Sequence, residues 1–375
     1  MATIGIYIAD ISINGGGVTK FAINLARALK PYHKCIVISD YSREKKFHKG
    51  YEKIESIVLN QDSEKEKIKK LSLVCKENNI DLIISNEIYL NRRCVAINIF
   101  SIKKIPYITV THMRSELWFK ETKNLLINIL KKSIIKLGFN KAKYNIAVSK
   151  GLANELKLEK FCKNPINIYN PIIDEEILKY RKEYNESNIS NKDIYEICVC
   201  GWISEVKNYE TAIRAVDLIK DKINIRLNII GGYSDKYKDY CIKMTELIKE
   251  LNIEDNIKFW GTVDNPYSIM QQMDALILTS KIEAFGNVLV EGMGIGLPII
   301  SSDCKYGPKE ILCNGEYGYL FSVDDYQTLS NQIIEIFNNR EKYIYYMEKS
   351  KERAKIFTFN MIANQYKDII SKINN

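Results

Sequence analysis

Short apolar runs recur along this chain, separated by stretches of helical length and period, and that alternation limits the fold more than any other feature. The first series lies at 4–9, 35–39, 54–59, 81–85, 107–111 and 144–148. The second lies at 195–200, 225–230, 257–260, 275–279, 297–301 and 319–322. Strands separated by helices predict parallel, doubly wound sheets. Asn170-Pro171 closes the first series, and the polar stretch 179–192 reads as a linker between two α/β domains. The expected division is 1–185, 186–358 and a terminal segment 359–375. Helices are expected over 326–337, 341–356 and 360–373. The two series share a pattern without sharing sequence, which fits a pair of similar α/β domains with a cleft between them.

Composition narrows the class. A chain of 375 residues has room for about two or three domains, and 46% hydrophobic with 27% charged residues is a globular balance, not a disordered one. No run approaches the ~20 apolar residues of a membrane span. The opening Met1-Ala2-Thr3-Ile4-Gly5-Ile6 lacks a basic start and a long apolar core, so it reads as a first strand and not as a secretory leader. Nine cysteines without a C-x-x-C pair predict reduced, buried thiols and a cytoplasmic protein. The net charge of +9 is unevenly spread: residues 1–179 carry 31 basic and 18 acidic side chains, the remainder 24 and 28. A basic half suits anionic lipid headgroups. Nucleic acid is not an expected partner, because no module that binds it is present.

The stretch 279–291 carries the most chemistry. Glu283 and Glu291 are separated by seven residues, and Phe285-Gly286 follows the first of them closely. The apolar run Ala275-Leu276-Ile277-Leu278 reads as a buried strand, and Val288-Leu289-Val290-Glu291 as the opening of a helix. Glu283 then lies in a strand-to-helix loop at a carboxyl strand end, where ligands of open α/β sheets bind. A helix starting near Asn287 would aim free N–H groups at an anion such as a phosphate. The carboxylates suit the hydroxyls of a ribose or hexose instead.

Other segments share this placement. Gly15, Gly16 and Gly17 sit between the first strand and first helix, where glycine serves either a tight turn or close approach to an anion. The spacing of a dinucleotide fingerprint is absent there. His112 follows the strand 107–111, either as a structural residue or as a ligand contact; His33 and His48 lack such a setting and are expected at the surface. Gly201-Trp202-Ile203-Ser204-Glu205-Val206-Lys207-Asn208 follows the first strand of the second series. No D-x-D pair stands at a strand end to hold a metal, and Asp324-Asp325 reads as a capping turn. In 118–143, Leu126, Leu130, Ile134 and Leu137 recur among Lys123, Lys131, Lys132 and Lys136. That pattern fits a helix lying on a lipid surface or an ordinary core-facing helix.

Glu-x-Phe-Gly-x4-Glu, then Gly-Leu-Pro-Ile-Ile-Ser-Ser-Asp and Gly307-Pro308-Lys309-Glu310-Ile311-Leu312, resembles the C-terminal half of retaining, nucleotide-sugar-dependent glycosyltransferases of family 4. The resemblance is strong over 195–325 and looser over the first half. It implies the GT-B fold, two Rossmann-like domains facing across a cleft, with the terminal helix packed back onto the first domain. It further implies no metal or other cofactor, a nucleoside diphosphate sugar donor (UDP foremost) and a glycan or polyprenyl-diphosphate-linked acceptor, with docking on the inner membrane face. Glu291 would bind the ribose, while Glu283 and the Phe285, Gly286, Asn287 and Val288 backbone would hold the donor sugar. Lys207 would neutralise the diphosphate, His112 would contact the hexose, and Gly15–Gly17 would face the phosphates and acceptor. The family's loop reads Gly-Arg-Leu-x-x-x-Lys-Gly, so Trp202 stands where an arginine is expected. A nucleotide-sugar 2-epimerase of the same fold, or a non-catalytic relative that binds the donor, is the alternative.

Overall fold

The computed structural model describes residues 1–12, 16–42, 54–100, 104–114, 125–183 and 193–374. They form two compact units, Met1–Ile172 with Thr358–Asn375, and Ile173–Phe357. Each is an α/β layer structure.

The first unit holds strands β1 (Thr3–Asp10), β2 (Lys34–Tyr41), β3 (Glu55–Val58), β4 (Leu82–Ser85), β5 (Tyr107–Thr111), β6 (Tyr144–Ala147) and β7 (Ile166–Asn167). Its helices are α1 (Gly16–Leu29), α2 (Glu64–Glu77), α3 (Ile88–Phe100), α4 (Leu125–Lys141) and α5 (Lys150–Leu158). The sheet order is β3-β2-β1-β4-β5-β6-β7, with every pairing parallel. β4 and β5 are buried along their whole length, as strands covered on both faces must be. Tyr7, Ile36, Ile38 and Ile83 pack with Leu71 and Val74 of α2 and Leu90 of α3. β7, two residues long, has no counterpart among the expected strands; so short a piece shows no periodicity.

The second unit begins with α6 (Glu175–Leu178), then β8 (Tyr195–Cys200), α7 (Tyr209–Asp217), β9 (Ile225–Ile230), α8 (Lys238–Glu250), β10 (Ile257–Gly261) and α9 (Tyr267–Met270). It continues with β11 (Ala275–Leu278), α10 (Asn287–Ile295), β12 (Ile299–Ser302), α11 (Gly307–Ile311), β13 (Tyr319–Phe321), α12 (Tyr326–Asn338) and α13 (Arg340–Ala354). Its sheet runs β10-β9-β8-β11-β12-β13, again all parallel. Ile197, Val199, Leu227 and Ile229 pack on Ile213 and Val216 of α7, Met244 of α8 and Ile333 of α12.

The division falls at Ile172 and not at 185. Asp174 caps α6 by accepting from Ile177 N at 3.0 Å, and Arg181 Nε and Lys182 N bond to Gly294 O and Ile295 O at the end of α10. Polar residues that look like a linker are thus strapped onto the second unit, while 184–192 lie outside the described residues. The last helix, α14 (Phe359–Asn374), belongs to the first unit. Within that unit the Arg27 guanidinium lies 5.2 Å from the Phe359 ring and Lys367 Nζ 3.7 Å from the Tyr32 ring.

Candidate functional site

At the carboxyl end of β8 the chain turns through Gly201 to Asn208 and enters α7. At the end of β11 it passes through 279–286 and enters α10. These loops are zipped together. Lys281 N donates to Val206 O at 2.8 Å, and Thr279 Oγ1 donates to Lys207 O at 2.8 Å. The β11 loop is also tied to the segment after β12: Glu283 N donates to Lys305 O and Tyr306 N to Glu283 O, each at 3.0 Å. Main-chain bonds on both sides fix Glu283 before any ligand arrives.

Lys207 Nζ and Glu283 Oε1 meet at 2.6 Å, and Ser280 Oγ donates to the same oxygen at 2.8 Å. Only 25% of the lysine and 13% of the glutamate side chain is exposed, so water screens the pair weakly. Burial alone would lower the lysine's pKa; the charge of Glu283 and its hydrogen bond together more than reverse this, and the net shift is upward. Lys207 is therefore a fixed cation. The structure brings together two residues that the sequence pointed to separately.

Four residues beyond Glu283, α10 begins. Gly286 precedes it with φ +104°, a conformation that favours glycine. Asn287 and Val288 are half-buried in its first turn, and Glu291 is 5% exposed farther along. Phe285 is a core residue, its ring 5.7 Å from that of Phe357, which leaves its backbone for any ligand contact. α11 is packed close by: a Cβ on Gly307 would lie 1.5 Å from Phe285 O. Asp325 caps α12 by accepting from Thr328 N at 2.9 Å, whereas Asp324 turns away and accepts from Asn208 Nδ2 at 2.9 Å.

Trp202 stands 41% exposed in the β8–α7 loop. Beside it, Ile203 N donates to Gly232 O at 2.8 Å. Gly231-Gly232 stands at the end of β9, between a strand and the next helix as Gly15–Gly17 does, and that placement is the signal that locates it in the sequence. A Cβ on Gly231 would sit 2.0 Å from Gly201 O, so Gly231 lets the β8 and β9 ends approach, while a Cβ on Gly232 would sit 2.2 Å from Thr262 Oγ1. No local pattern in the sequence distinguishes Ser280, Thr279 and Asn208 from ordinary loop residues. Their roles depend on contacts between loops far apart in sequence.

In the first unit, His112 follows β5 with its ring edge-on to Phe21 at 4.5 Å and Nε2 3.3 Å from Asn86 Oδ1. Desolvation pushes its pKa down to about 3, so the imidazole is neutral near pH 7. A neutral ring can donate from one nitrogen and accept at the other. Gly16, with φ +68°, and Gly17 open α1, while Gly15 lies outside the described residues. His33 is half-buried, and His48 lies outside the described residues.

Of the segment 118–143, residues 118–124 lie outside the described residues and the rest is chiefly α4. Its inner face packs through Gly138 and Phe139, with Tyr107 Oη donating to Gly138 O. Its outer face is not polar: Ile127, Leu130, Ile134 and Leu137 are 44%, 62%, 40% and 44% exposed. Among the described residues no helix is long and apolar enough to cross a membrane.

A family model described as "Glycosyl transferases group 1" matches residues 180–353, and one described as "Glycosyltransferase Family 4" matches residues 15–176. N-acetyl-alpha-D-glucosaminyl L-malate synthase of Bacillus anthracis is 29% identical over 245 residues, covering 63% of this chain. The match spans 61% of that relative's own length. The N-acetylgalactosamine-N,N'-diacetylbacillosaminyl-diphospho-undecaprenol 4-alpha-N-acetylgalactosaminyltransferase of Campylobacter jejuni is 29% identical over 300 residues, 78% of this chain and 77% of that one. Among solved structures, Anabaena HepE in complex with UDP superimposes with a TM-score of 0.81 at 21% identity, over 99% of this chain and all of the other. That likeness shows the fold.

Proposed function

The chain belongs to the family 4 glycosyltransferases, of GT-B fold, and from that premise we propose that it moves a hexose or N-acetylhexosamine from a nucleoside diphosphate sugar to a growing glycan with retention of configuration. The observation that carries this reading is the Lys207–Glu283 pair at two adjacent carboxyl strand ends, four residues before the helix that bears Glu291. UDP is the favoured nucleotide, since the Anabaena HepE crystals contain it. A polyprenyl-diphosphate-linked acceptor is favoured because the name of the Campylobacter jejuni relative states one.

In this reading Glu291 accepts hydrogen bonds from the ribose hydroxyls, and Glu283 with the backbone of residues 285–288 holds the sugar. Lys207 and the positive N-terminal end of α10 meet the charge that develops on the departing diphosphate. His112, neutral, contacts the hexose. The leaving phosphate itself takes the acceptor proton on the same face, so no side-chain base is assigned. In this reading Lys207 and the N-terminal end of α10 stand in for a metal, and none is required.

A panel of UDP- and GDP-sugars with a lipid-diphosphate acceptor, scored for nucleoside diphosphate release with and without EDTA, tests the proposal. Release coupled to glycosidic product, insensitive to EDTA, is expected. An isomerised nucleotide-sugar without glycosidic product would identify a 2-epimerase; binding without turnover, as the Trp202 substitution would permit, would identify a non-catalytic relative. Loss of turnover that manganese or magnesium restores would contradict the metal-free mechanism. Glu291→Gln should weaken donor binding by at least about tenfold in calorimetry, from the ~1.5–3 kcal/mol of a hydrogen bond to a charged group, and leave the fold intact.

A further inference from the structure

We propose that Asn208 is a positioning residue of the donor site, one that sets where Lys207 meets a diphosphate. The inference rests on the reading of Lys207 given above. Asn208 is 4% exposed and left-handed at φ +53°. It stands at the N-cap of α7, yet its side chain bonds to no N–H of that helix, which is the usual task of an asparagine there. The amide instead reaches three other groups. Nδ2 lies 2.7 Å from Thr211 Oγ1, 2.9 Å from Asp324 Oδ1 and 3.3 Å from the carbonyl oxygen of Thr279. Those acceptors come from α7, the turn before α12 and the end of β11. Thr279 returns the contact by donating to Lys207 O. The Lys207 backbone is thereby held on its own carbonyl and through the residue that follows it, while its ammonium group meets Glu283.

The chemistry of the amide matters. Two hydrogens on one neutral nitrogen can face a carboxylate and a carbonyl together, whereas an aspartate at this position would repel both. Glycine accepts the left-handed backbone but supplies none of the bonds. A residue that only stabilised the fold would not need its effect on ligand binding to pass through Lys207.

Calorimetric titration of the full chain with UDP, GDP and ADP separately, using the tightest of them thereafter, tests this by a double-mutant cycle. Asn208→Gly should weaken binding about tenfold, within the coupling seen among residues of one hydrogen-bonded network. In a Lys207→Ala background the same change should cost less than about twofold. Thr279→Val, which removes the bond to Lys207 O, should show the same pattern and serves if Asn208→Gly does not fold. Unchanged binding in the folded single variants, or an equal loss with and without Lys207, would overturn the inference while leaving the site assignment standing. A wild-type chain that binds none of the three nucleotides would overturn the site assignment and the inference with it.

Discussion

Lys207 and Glu283 cancel each other's charge at 2.6 Å, so removing the lysine does two things at once. In the proposed reading it takes away a donor to the diphosphate, and it leaves the poorly hydrated Glu283 carboxylate without its cation. A single preorganised donor is worth about 2.7–4 kcal/mol, or ~10²–10³ in turnover, and Lys207→Ala should fall at or beyond the upper end of that range. Trp202→Arg restores a cation to the same loop and should partly rescue the rate of nucleoside diphosphate release. A Lys207→Ala protein keeping more than about a tenth of its turnover would show that Lys207 does not carry the charge. His112 makes a separate expectation through pH. Its ordinary pKa of 6.5 falls to about 3 in the folded chain because burial disfavours the imidazolium. Between those values the unfolded chain binds more protons, so this contribution to stability is complete above the ordinary pKa and is lost as pH falls towards the folded one. Wild type should therefore lose more stability than His112→Gln between about pH 7 and pH 5, with a difference in slope of at most about 1.4 kcal/mol per pH unit. His33 shifts in the same direction, and the comparison removes it because both proteins carry it. Urea titrations at each pH would measure the difference; parallel curves would show His112 titrating alike in the folded and unfolded chain.

Elements depend on glycines that the sequence cannot rank. Gly307 opens α11 with its missing Cβ aimed at Phe285 O, whereas a Cβ on Gly16 would meet nothing within 4 Å. Gly307→Ala must push the backbone on which the Phe285–Val288 reading depends, so it should cost the ~3 kcal/mol upper end of overpacking and weaken donor binding. Gly16→Ala bears only the left-handed penalty of about 1–2 kcal/mol. Denaturant midpoints and nucleotide titrations of both variants separate the two cases, and equal effects would contradict the packing argument. This difference shows where sequence stopped being sufficient. The apolar runs, buried on both faces, marked strands such as β4, β5, β11 and β12, and the run beginning at Val288 marked the start of α10. β7 is too short to carry a period. The Lys207–Glu283 contact joins residues 76 positions apart, and only the pairing of β8 with β11 brings their loops together. The strapping of 173–183 onto the second unit is equally silent in sequence, because Arg181 and Lys182 bond to main-chain carbonyls whose location no side-chain pattern reveals.

Over the whole molecule, charge and apolar exposure coincide on the basic half. Residues 1–179 carry 31 basic against 18 acidic side chains, and within them α4 turns Ile127, Leu130, Ile134 and Leu137 outward with Lys131, Lys132 and Lys136 on the same helix. An ordinary surface helix would place polar residues on that face. The arrangement supports docking on an anionic bilayer, where each lysine near the surface contributes about 1 kcal/mol and the apolar stripe adds burial. Flotation with phosphatidylglycerol-rich vesicles should recover more protein than with phosphatidylcholine vesicles. Recovery should fall as salt shortens the Debye length from ~10 Å at 0.1 M to ~3 Å at 1 M. Replacing Lys131, Lys132 and Lys136 together by glutamate should abolish the preference without unfolding the chain, at the cost of the half-exposed Lys132–Glu159 ion pair and the Lys132 contact with the Phe161 ring. Leu130→Ser with Leu137→Ser should reduce whatever binding survives at high salt, the part that charge does not carry. Equal recovery on both vesicle types would leave α4 as a structural helix.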